Sequence, residues 1–212
     1  MSPPAGSVGG GPELIDLRVE PQRALEEAAA ALRAGGVVLV PTDTVYGLAA
    51  LTSEAEEDLF VLKARPDDRS IAVLVADRPA AESLAESVPP ALAELMDRHW
   101  PGPLTVVLPR RRSAGPQVGG DLDTVGVRCP DHPWLCRLLA EVGPLATTSA
   151  NRHAQQTPTN ASEVLAALTP DLESDVRIAA AIDGGPCTGE ASTVVAWQEG
   201  QLKILRPGPL DL

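Results

Sequence analysis

Short apolar runs of β-branched character recur along this 212-residue chain, each separated from the next by a stretch with helical spacing. That alternation leaves few folds open, because strands and helices that interleave throughout specify an α/β class with a substantial sheet. Residues 21–34 (PQRALEEAAAALRA) read as a helix with proline at its start and Gly35-Gly36 as the stop signal. The following run, 37–40 (VVLV), reads as a buried strand. Ser53-x-x-Glu56 is a capping-box pattern opening a helix to about Ala64, which Pro66 ends. Further strands are expected at 71–75, 104–108, 125–128, 144–148, 178–182, 193–197 and 202–205. Further helices are expected at 79–86, 90–99, 132–141 and 162–168. Hairpin-like pairs near the end predict a mixed sheet. Residues 1–12 are rich in Gly, Pro and Ser, so 1–20 are expected to be a flexible tail and lead-in, with a single domain over 21–212.

Composition narrows the function. The formal net charge of -12 disfavours extended, sequence-independent nucleic-acid binding unless cations are gathered locally. Tyr46, Phe60 and three tryptophans are all the aromatics present, too few for a base-stacking platform. No apolar run approaches the roughly 20 residues that cross a bilayer, and the N-terminus lacks the charged and apolar regions of a secretory signal. Three cysteines, an odd number without CxxC, favour a reducing compartment over a disulfide framework. The chain contains no Walker motif, no strand-linked GxGxxG, no HExxH and no GxSxG.

Polar residues follow the expected strands and helices at six places, where α/β proteins put their sites. Pro41-Thr42-Asp43-Thr44-Val45-Tyr46-Gly47-Leu48 is over-supplied with hydrogen-bonding groups for a plain turn, although an Asx or ST turn satisfying its own backbone reads equally well. Lys63, Arg65 and Arg69 fall within seven residues at a helix end, where Lys63 alone would be a cap on the helix dipole. Thr124-Val125-Gly126-Val127-Arg128 closes a short strand with a guanidinium, Thr147-Thr148-Ser149-Ala150-Asn151 follows another, and Ser192-Thr193 and Arg206-Pro207-Gly208 come last. Together Lys63, Arg65, Arg69, Arg128 and Arg206 would line one anion-loving hollow in an acidic protein. Forked guanidiniums, a lysine point charge and hydroxyl donors are the mix that phosphate recognition wants. Cys129-Pro-Asp-His132-Pro-Trp-Leu-Cys136 offers no evident fourth metal ligand, so its residues are read as core and surface and no metal site is expected.

The order of these motifs resembles the YrdC/TsaC family of L-threonylcarbamoyladenylate synthases. The likeness rests on PTDTVYGL at 41–48, Lys63-x-Arg65-Pro66, Trp100-Pro101-Gly102-Pro103-Leu104-Thr105, Thr124 to Arg128, Ser149-Ala150-Asn151, Ser192-Thr193-Val194 and Arg206-Pro207-Gly208, over roughly residues 22–210. It implies a YrdC-like α/β fold, a twisted open mixed sheet with flanking helices around a basic cavity. It implies a cytoplasmic nucleotidyltransferase that joins L-threonine, bicarbonate or CO2 and ATP into threonylcarbamoyl-AMP and releases pyrophosphate. That product serves formation of N6-threonylcarbamoyladenosine at tRNA position 37, with separate proteins transferring the group and direct tRNA binding weak or absent. Carried over by motif, Thr42 or Thr44, Arg128, Thr147 and Ser192 would hold threonine, with Arg128 on its carboxylate. Lys63, Arg65, Arg69, Thr124, Ser149, Asn151, Thr157 and Arg206 would face ATP, and Lys63, Arg65, Ser149 and Asn151 would carry catalysis. Mg2+ would arrive on the triphosphate, with Asp43 as an outer contact or simply a turn acid.

The chain departs from the family pattern at Ser70-Ile71, where many relatives have Pro-Leu, at Leu74, where many have histidine, and at Arg152-His153-Ala154 in place of Leu-Ser-Gly. These departures bear on a threonine-side contact and a loop shape and leave the cationic set intact. They keep open a YciO-like paralogue without this activity, beside an RNA-binding or ribosome-assembly protein of the same fold and a carbamoyl-transfer enzyme of secondary metabolism. Longer relatives add a C-terminal domain after a linker, which is not expected here.

Overall fold

The computed structural model describes residues 12–63, 71–116, 123–152, 155–168 and 178–212. In chain order the elements are β1 (Leu14–Asp16), α1 (Pro21–Arg33), β2 (Val37–Val40), β3 (Gly47–Ala50), α2 (Ser53–Lys63), β4 (Ala72–Leu74), α3 (Arg78–Leu84), α4 (Pro90–His99), β5 (Leu104–Pro109), β6 (Thr124–Arg128), α5 (Pro133–Val142), β7 (Leu145–Ser149), α6 (Ala161–Leu168), β8 (Ile178–Asp183), β9 (Thr193–Gln198) and β10 (Gln201–Arg206). The ten strands among the described residues join one sheet in the order β1-β8-β2-β3-β7-β4-β6-β5-β9-β10. It is mixed, as expected: β1/β8, β2/β8, β4/β6 and β5/β9 are parallel, and the other neighbours antiparallel.

Two strands depart from the sequence reading. The lead-in contains β1, whose backbone pairs Leu14 with Ala181 and Asp16 with Asp183, so the ordered sheet starts before residue 21. The stretch after Tyr46, where the sequence reading placed no strand, continues as β3 and pairs with both β2 and β7. Its GLAA sequence has weak strand propensity, and burial between two neighbours makes it a strand.

Strand periodicity divides the interior into two layers. Val37 and Leu39 of β2 enter one apolar cluster, with Leu59 of α2, Leu92 of α4 and Val164 of α6. Val38 and Val40 enter the other, with Leu25 and Leu32 of α1 and Leu135 and Leu138 of α5. Burial on both faces is why β2 is a continuous apolar run rather than an alternating one. Alanines at positions 24, 28 and 29 of α1 let that helix lie close on the sheet. Turn chemistry closes the last hairpin: Glu199 (φ 53°) and Gly200 (φ 75°) both take left-handed backbone, the requirement of a two-residue type I′ connection.

Tyr46 anchors the loop between β2 and β3. Its buried hydroxyl donates to the Gly185 carbonyl (2.7 Å) and accepts from the Gly184 N–H (3.1 Å). Burial pushes its pKa well above the ordinary phenol value of 10.0, with Cys187 and Asp183 adding to the rise. A raised native pKa means that the folded state holds the phenol proton more tightly than the unfolded chain. The stabilisation is therefore complete below about pH 10 and is lost as pH climbs past it. Tyr46→Phe should cost about 1–3 kcal/mol at neutral pH, by stranding the Gly184 N–H. It should also flatten the decline in stability above pH 10, as read by denaturant unfolding across pH.

Candidate functional site

A cavity of about 380 Å³ lies on the sheet face that α1 and α5 cover further along. Its floor is laid by strand alternation. On β6, Val125 and Val127 point into the first core cluster, while Thr124, Gly126 and Arg128 line the cavity. Facing partners continue the floor across the sheet: Ala72 lies opposite Thr147, Leu74 opposite Arg128, Val107 opposite Gly126 and Thr105 opposite Val194. Gly126 leaves the floor low: a Cβ there would raise it and rest in ordinary contact with the Thr105 methyl, 3.5 Å away. The loop after β2 brings Thr42 and Thr44 over one end, and Ser192, Leu205 and Arg206 wall the other.

Arg128 is 6% exposed and held on three sides. Its Nε donates to the Gly102 carbonyl (3.0 Å), Nη1 to Thr44 Oγ1 (2.9 Å) and Nη2 to Asp43 Oδ1 (2.6 Å). A guanidinium has five N–H groups, so one on each terminal nitrogen remains beyond these contacts. The hydroxyl order follows from proton counting. Thr42 gives its single proton to the Val45 carbonyl (2.7 Å), so across the 3.0 Å gap between hydroxyls Thr44 must donate to Thr42. The Thr44 N–H also donates to Thr42 Oγ1 (3.0 Å). The motif at 41–48 is thus an ST turn that satisfies its own backbone and also positions Arg128.

At the opposite wall, Arg206 donates from Nε (3.1 Å) and Nη2 (2.8 Å) to the Ser192 carbonyl and from Nη2 to Ser192 Oγ (3.0 Å). Ser192 Oγ lies 2.8 Å from Thr105 Oγ1. Gly208 lets this segment close over the β9 entry, because a Cβ there would sit 2.4 Å from the Thr193 nitrogen. Gly208→Ala should cost roughly 2 kcal/mol of stability through overpacking, with Arg206 displaced from Ser192. Thermal unfolding beside a crystal structure of the variant would check both. The Trp100-Pro101-Gly102-Pro103 segment, with a cis Trp100–Pro101 bond, ties the two walls together. The Gly102 N–H donates to the Cys129 carbonyl (2.9 Å), and the Pro103 carbonyl accepts the Thr193 N–H (2.9 Å).

Of the residues singled out in the sequence, Thr42, Thr44, Thr124, Arg128, Thr147, Ser149, Ser192 and Arg206 line this one cavity. Asn151 and Thr157 are not among its lining residues. They stand behind Ser149, whose hydroxyl donates to Asn151 Oδ1 (2.6 Å), while Thr157 donates to the same oxygen (3.3 Å). The Asn151 amide is committed to the Arg152 (2.7 Å) and Gln155 (2.6 Å) carbonyls. Helix α2 is described as far as Lys63; the Lys63 side chain, Arg65, Arg69 and Ser70 lie outside the described residues. Leu74 faces the cavity beside Arg128, so the departure from the family pattern falls on the floor. Sequence reasoning missed Thr105 as a polar floor residue and Asp43 as the partner of Arg128. Thr105 lay inside a quoted motif, but Asp43 gave no signal of a partner 85 residues away.

The Sua5/YciO/YrdC family, described as telomere recombination, matches residues 30–208. A Bacillus subtilis protein named threonylcarbamoyl-AMP synthase is 41% identical over 189 residues, covering 87% of this chain and 53% of that protein. A Mycobacterium tuberculosis protein named putative threonylcarbamoyl-AMP synthase is 36% identical over 192 residues, covering 89% and 86%. Pyrococcus abyssi Sua5 complexed with L-threonine superposes with a TM-score of 0.77 at 34% identity, over 92% of this chain and 56% of that one. The chain therefore spans about half the length of the Bacillus and Pyrococcus proteins it matches. With the motif order, the ten-stranded sheet and these likenesses in agreement, the chain belongs to the Sua5/YciO/YrdC family.

Proposed function

We propose that this protein is a threonylcarbamoyl-AMP synthase, a nucleotidyltransferase that condenses L-threonine, bicarbonate or CO2, and ATP and releases pyrophosphate. The observation that carries the reading is Arg128, a buried guanidinium on a cavity wall with one N–H left on each terminal nitrogen. End-on engagement of a carboxylate uses one N–H from each of those nitrogens. Support also comes from the relatives' printed names and from the L-threonine bound to Pyrococcus abyssi Sua5.

In this reading Arg128 takes the amino-acid carboxylate, and Thr42, Thr44, Thr147 and Ser192 surround the rest of the threonine. Thr124, Ser149 and Arg206 face ATP, with Asn151 and Thr157 holding Ser149 in place. Lys63, Arg65 and Arg69 complete the phosphate side. Carbamate formation needs the neutral amine to attack CO2 or bicarbonate. A carbamate oxygen then attacks the α-phosphorus as pyrophosphate leaves. No covalent enzyme intermediate is required, so the protein contributes alignment and fixed dipoles in a recessed pocket. Shielding from bulk water also protects the labile carbamate.

Mg2+ would arrive with the nucleotide and would supply charge neutralisation at its phosphates. Among the described residues no group of three His, Cys, Asp or Glu side chains is arranged to hold a metal, and Asp43 is engaged with Arg128. Among those residues, too, no helix is long and apolar enough to cross a membrane. We assign the protein to the cytoplasm, where ATP and tRNA reside. Separate proteins would transfer the threonylcarbamoyl group to tRNA position 37. The net charge of -12 argues that tRNA itself binds weakly.

Incubation with ATP, bicarbonate and labelled threonine, followed by mass detection of the adenylate, tests the reading. Threonine- and bicarbonate-dependent pyrophosphate release should accompany the labelled product. Binding of both substrates without adenylate would point to a non-synthase member of the fold. Strong salt-dependent affinity for bare tRNA without adenylate would point to an RNA-binding protein.

A further inference from the structure

A second cavity, of about 470 Å³, opens where β6 ends and α5 begins, bounded in part by Ala76, Trp100, Cys129, Pro130, His132 and Cys136. Cys129 directly follows Arg128, and its side chain joins the core cluster on the opposite side of the sheet from the first cavity. Its thiol donates to the Ala76 carbonyl (3.3 Å), and the Cys136 thiol to the Pro130 carbonyl (3.1 Å). Both cysteines line this one cavity, and the carbonyl that Cys136 reaches belongs to Pro130, the residue next to Cys129. Cys129 is buried while Cys136 is partly exposed, so an oxidant entering this cavity meets Cys136 first. The arrangement is not a metal site. His132 Nδ1 already accepts the Leu135 N–H (3.3 Å) as the cap of α5, and no group of three ligands forms among the described residues.

We propose that Cys129 and Cys136 form a peroxide-responsive dithiol in which Cys136 reacts first and Cys129 resolves it. The Cys136 thiolate attacks one peroxide oxygen, the O–O bond breaks, and the sulfur becomes a sulfenic acid as hydroxide leaves. The Cys129 sulfur then attacks the Cys136 sulfur, and the sulfenic oxygen departs with the Cys129 proton as water. In sum, two thiols and one hydrogen peroxide give one disulfide and two waters. The electrostatics favour this order. Proximity to Cys129 holds the Cys136 thiol below its ordinary value, against burial and the Asp43 and Asp131 carboxylates, while the same proximity and burial push Cys129 up. A cytosolic pair of this kind belongs to the transient, redox-sensing class rather than to structural disulfides.

The disulfide reaches the first cavity through the backbone. The Cys129 carbonyl holds the Gly102 N–H (2.9 Å), and the Gly102 carbonyl holds Arg128 Nε (3.0 Å). Closing the sulfurs to a bonded distance of about 2 Å draws the Cys129 backbone toward α5 and with it that carbonyl. Arg128 then loses one of its three supports. This kinetic consequence rests on the threonine reading of Arg128, whereas formation of the disulfide does not.

The test is to treat the full chain with a modest excess of hydrogen peroxide and follow intact mass, peptide mapping and kinetics together. A loss of two hydrogens, a Cys129–Cys136 cross-linked peptide and a Cys187 that still alkylates are expected. The KM for threonine should rise about tenfold, equivalent to weakening one charge-assisted contact. The KM for ATP should stay unchanged, and dithiothreitol should reverse the effect. Cys136→Ser, and Cys136→Ala as a second variant, should keep basal turnover and resist peroxide. Oxygen gain at Cys136 with Cys129 still alkylatable, or a cross-link to Cys187, would overturn the dithiol. A formed disulfide with unchanged threonine KM would overturn the coupling. A formed disulfide in a protein that makes no adenylate in either redox state would leave the dithiol standing and overturn the synthase reading.

Discussion

Arg128→Ala should raise the threonine concentration needed for half-maximal turnover by roughly two orders of magnitude while changing ATP affinity by less than about threefold. Two charge-assisted hydrogen bonds from a forked guanidinium to a carboxylate supply on the order of 3 kcal/mol, which is about a hundredfold in binding. Alanine also leaves Asp43 buried without its counter-charge, and breaking such a pair from one side costs about 3–5 kcal/mol. The two effects are separated by Arg128→Lys, which keeps the charge near Asp43 but cannot reproduce the fork. Lysine should recover most of the thermal stability and little of the threonine affinity. Calorimetric titration with threonine and with a non-hydrolysable ATP analogue, next to thermal unfolding, reads both. Equal weakening of the two ligands would move Arg128 out of the amino-acid pocket.

Asp43→Ala should lower the thermal midpoint by about 10 °C. The Asp43–Arg128 pair has side chains only 13% and 7% exposed, so water compensates little when one partner goes. A loss of about 3–5 kcal/mol, at ~2–4 °C per kcal/mol for a domain of this size, gives that shift. The variant should also answer threonine differently from the wild type. With Asp43 gone, a substrate carboxylate becomes the counter-ion of Arg128. Saturating threonine should then raise the midpoint more in the variant than in the wild type, by mass action on the folded state. Differential scanning fluorimetry with and without threonine measures both quantities. An equal rise in both proteins would show that Asp43 and the substrate do not share Arg128.

Much of the framework was legible because burial and periodicity leave direct marks on residue choice. The VVLV run of β2 is apolar at every position because both of its faces are covered. Helix α1 begins at Pro21 and stops at the left-handed Gly35. What escaped was structure whose cause lies elsewhere in the chain. The three residues of β1 carry no strand pattern of their own and are held by the backbone of β8, far away in sequence. The GLAA of β3 is a strand only because β2 and β7 flank it. At the site, the strand-end hydroxyls and arginines could be picked out one by one, and motif order showed that they belong together. The Asp43–Arg128 pair could not, because a turn acid looks the same in sequence whether it caps its own backbone or grips a distant guanidinium.

The division of each strand between two faces has a further implication. Residues such as Val125 and Val127 secure the packing, while Thr124, Gly126 and Arg128, interleaved with them, line the cavity. A replacement at a ligand-facing position leaves the buried layer on the reverse side untouched. Leu74 sits at the seam, lining the cavity while packing in the apolar layer beneath α1 and α5. Cavity shape and the packing of that reverse layer are therefore set by different residues of the same strand, and a change at Thr124 or Gly126 alters the hollow while Val125 and Val127 keep their neighbours.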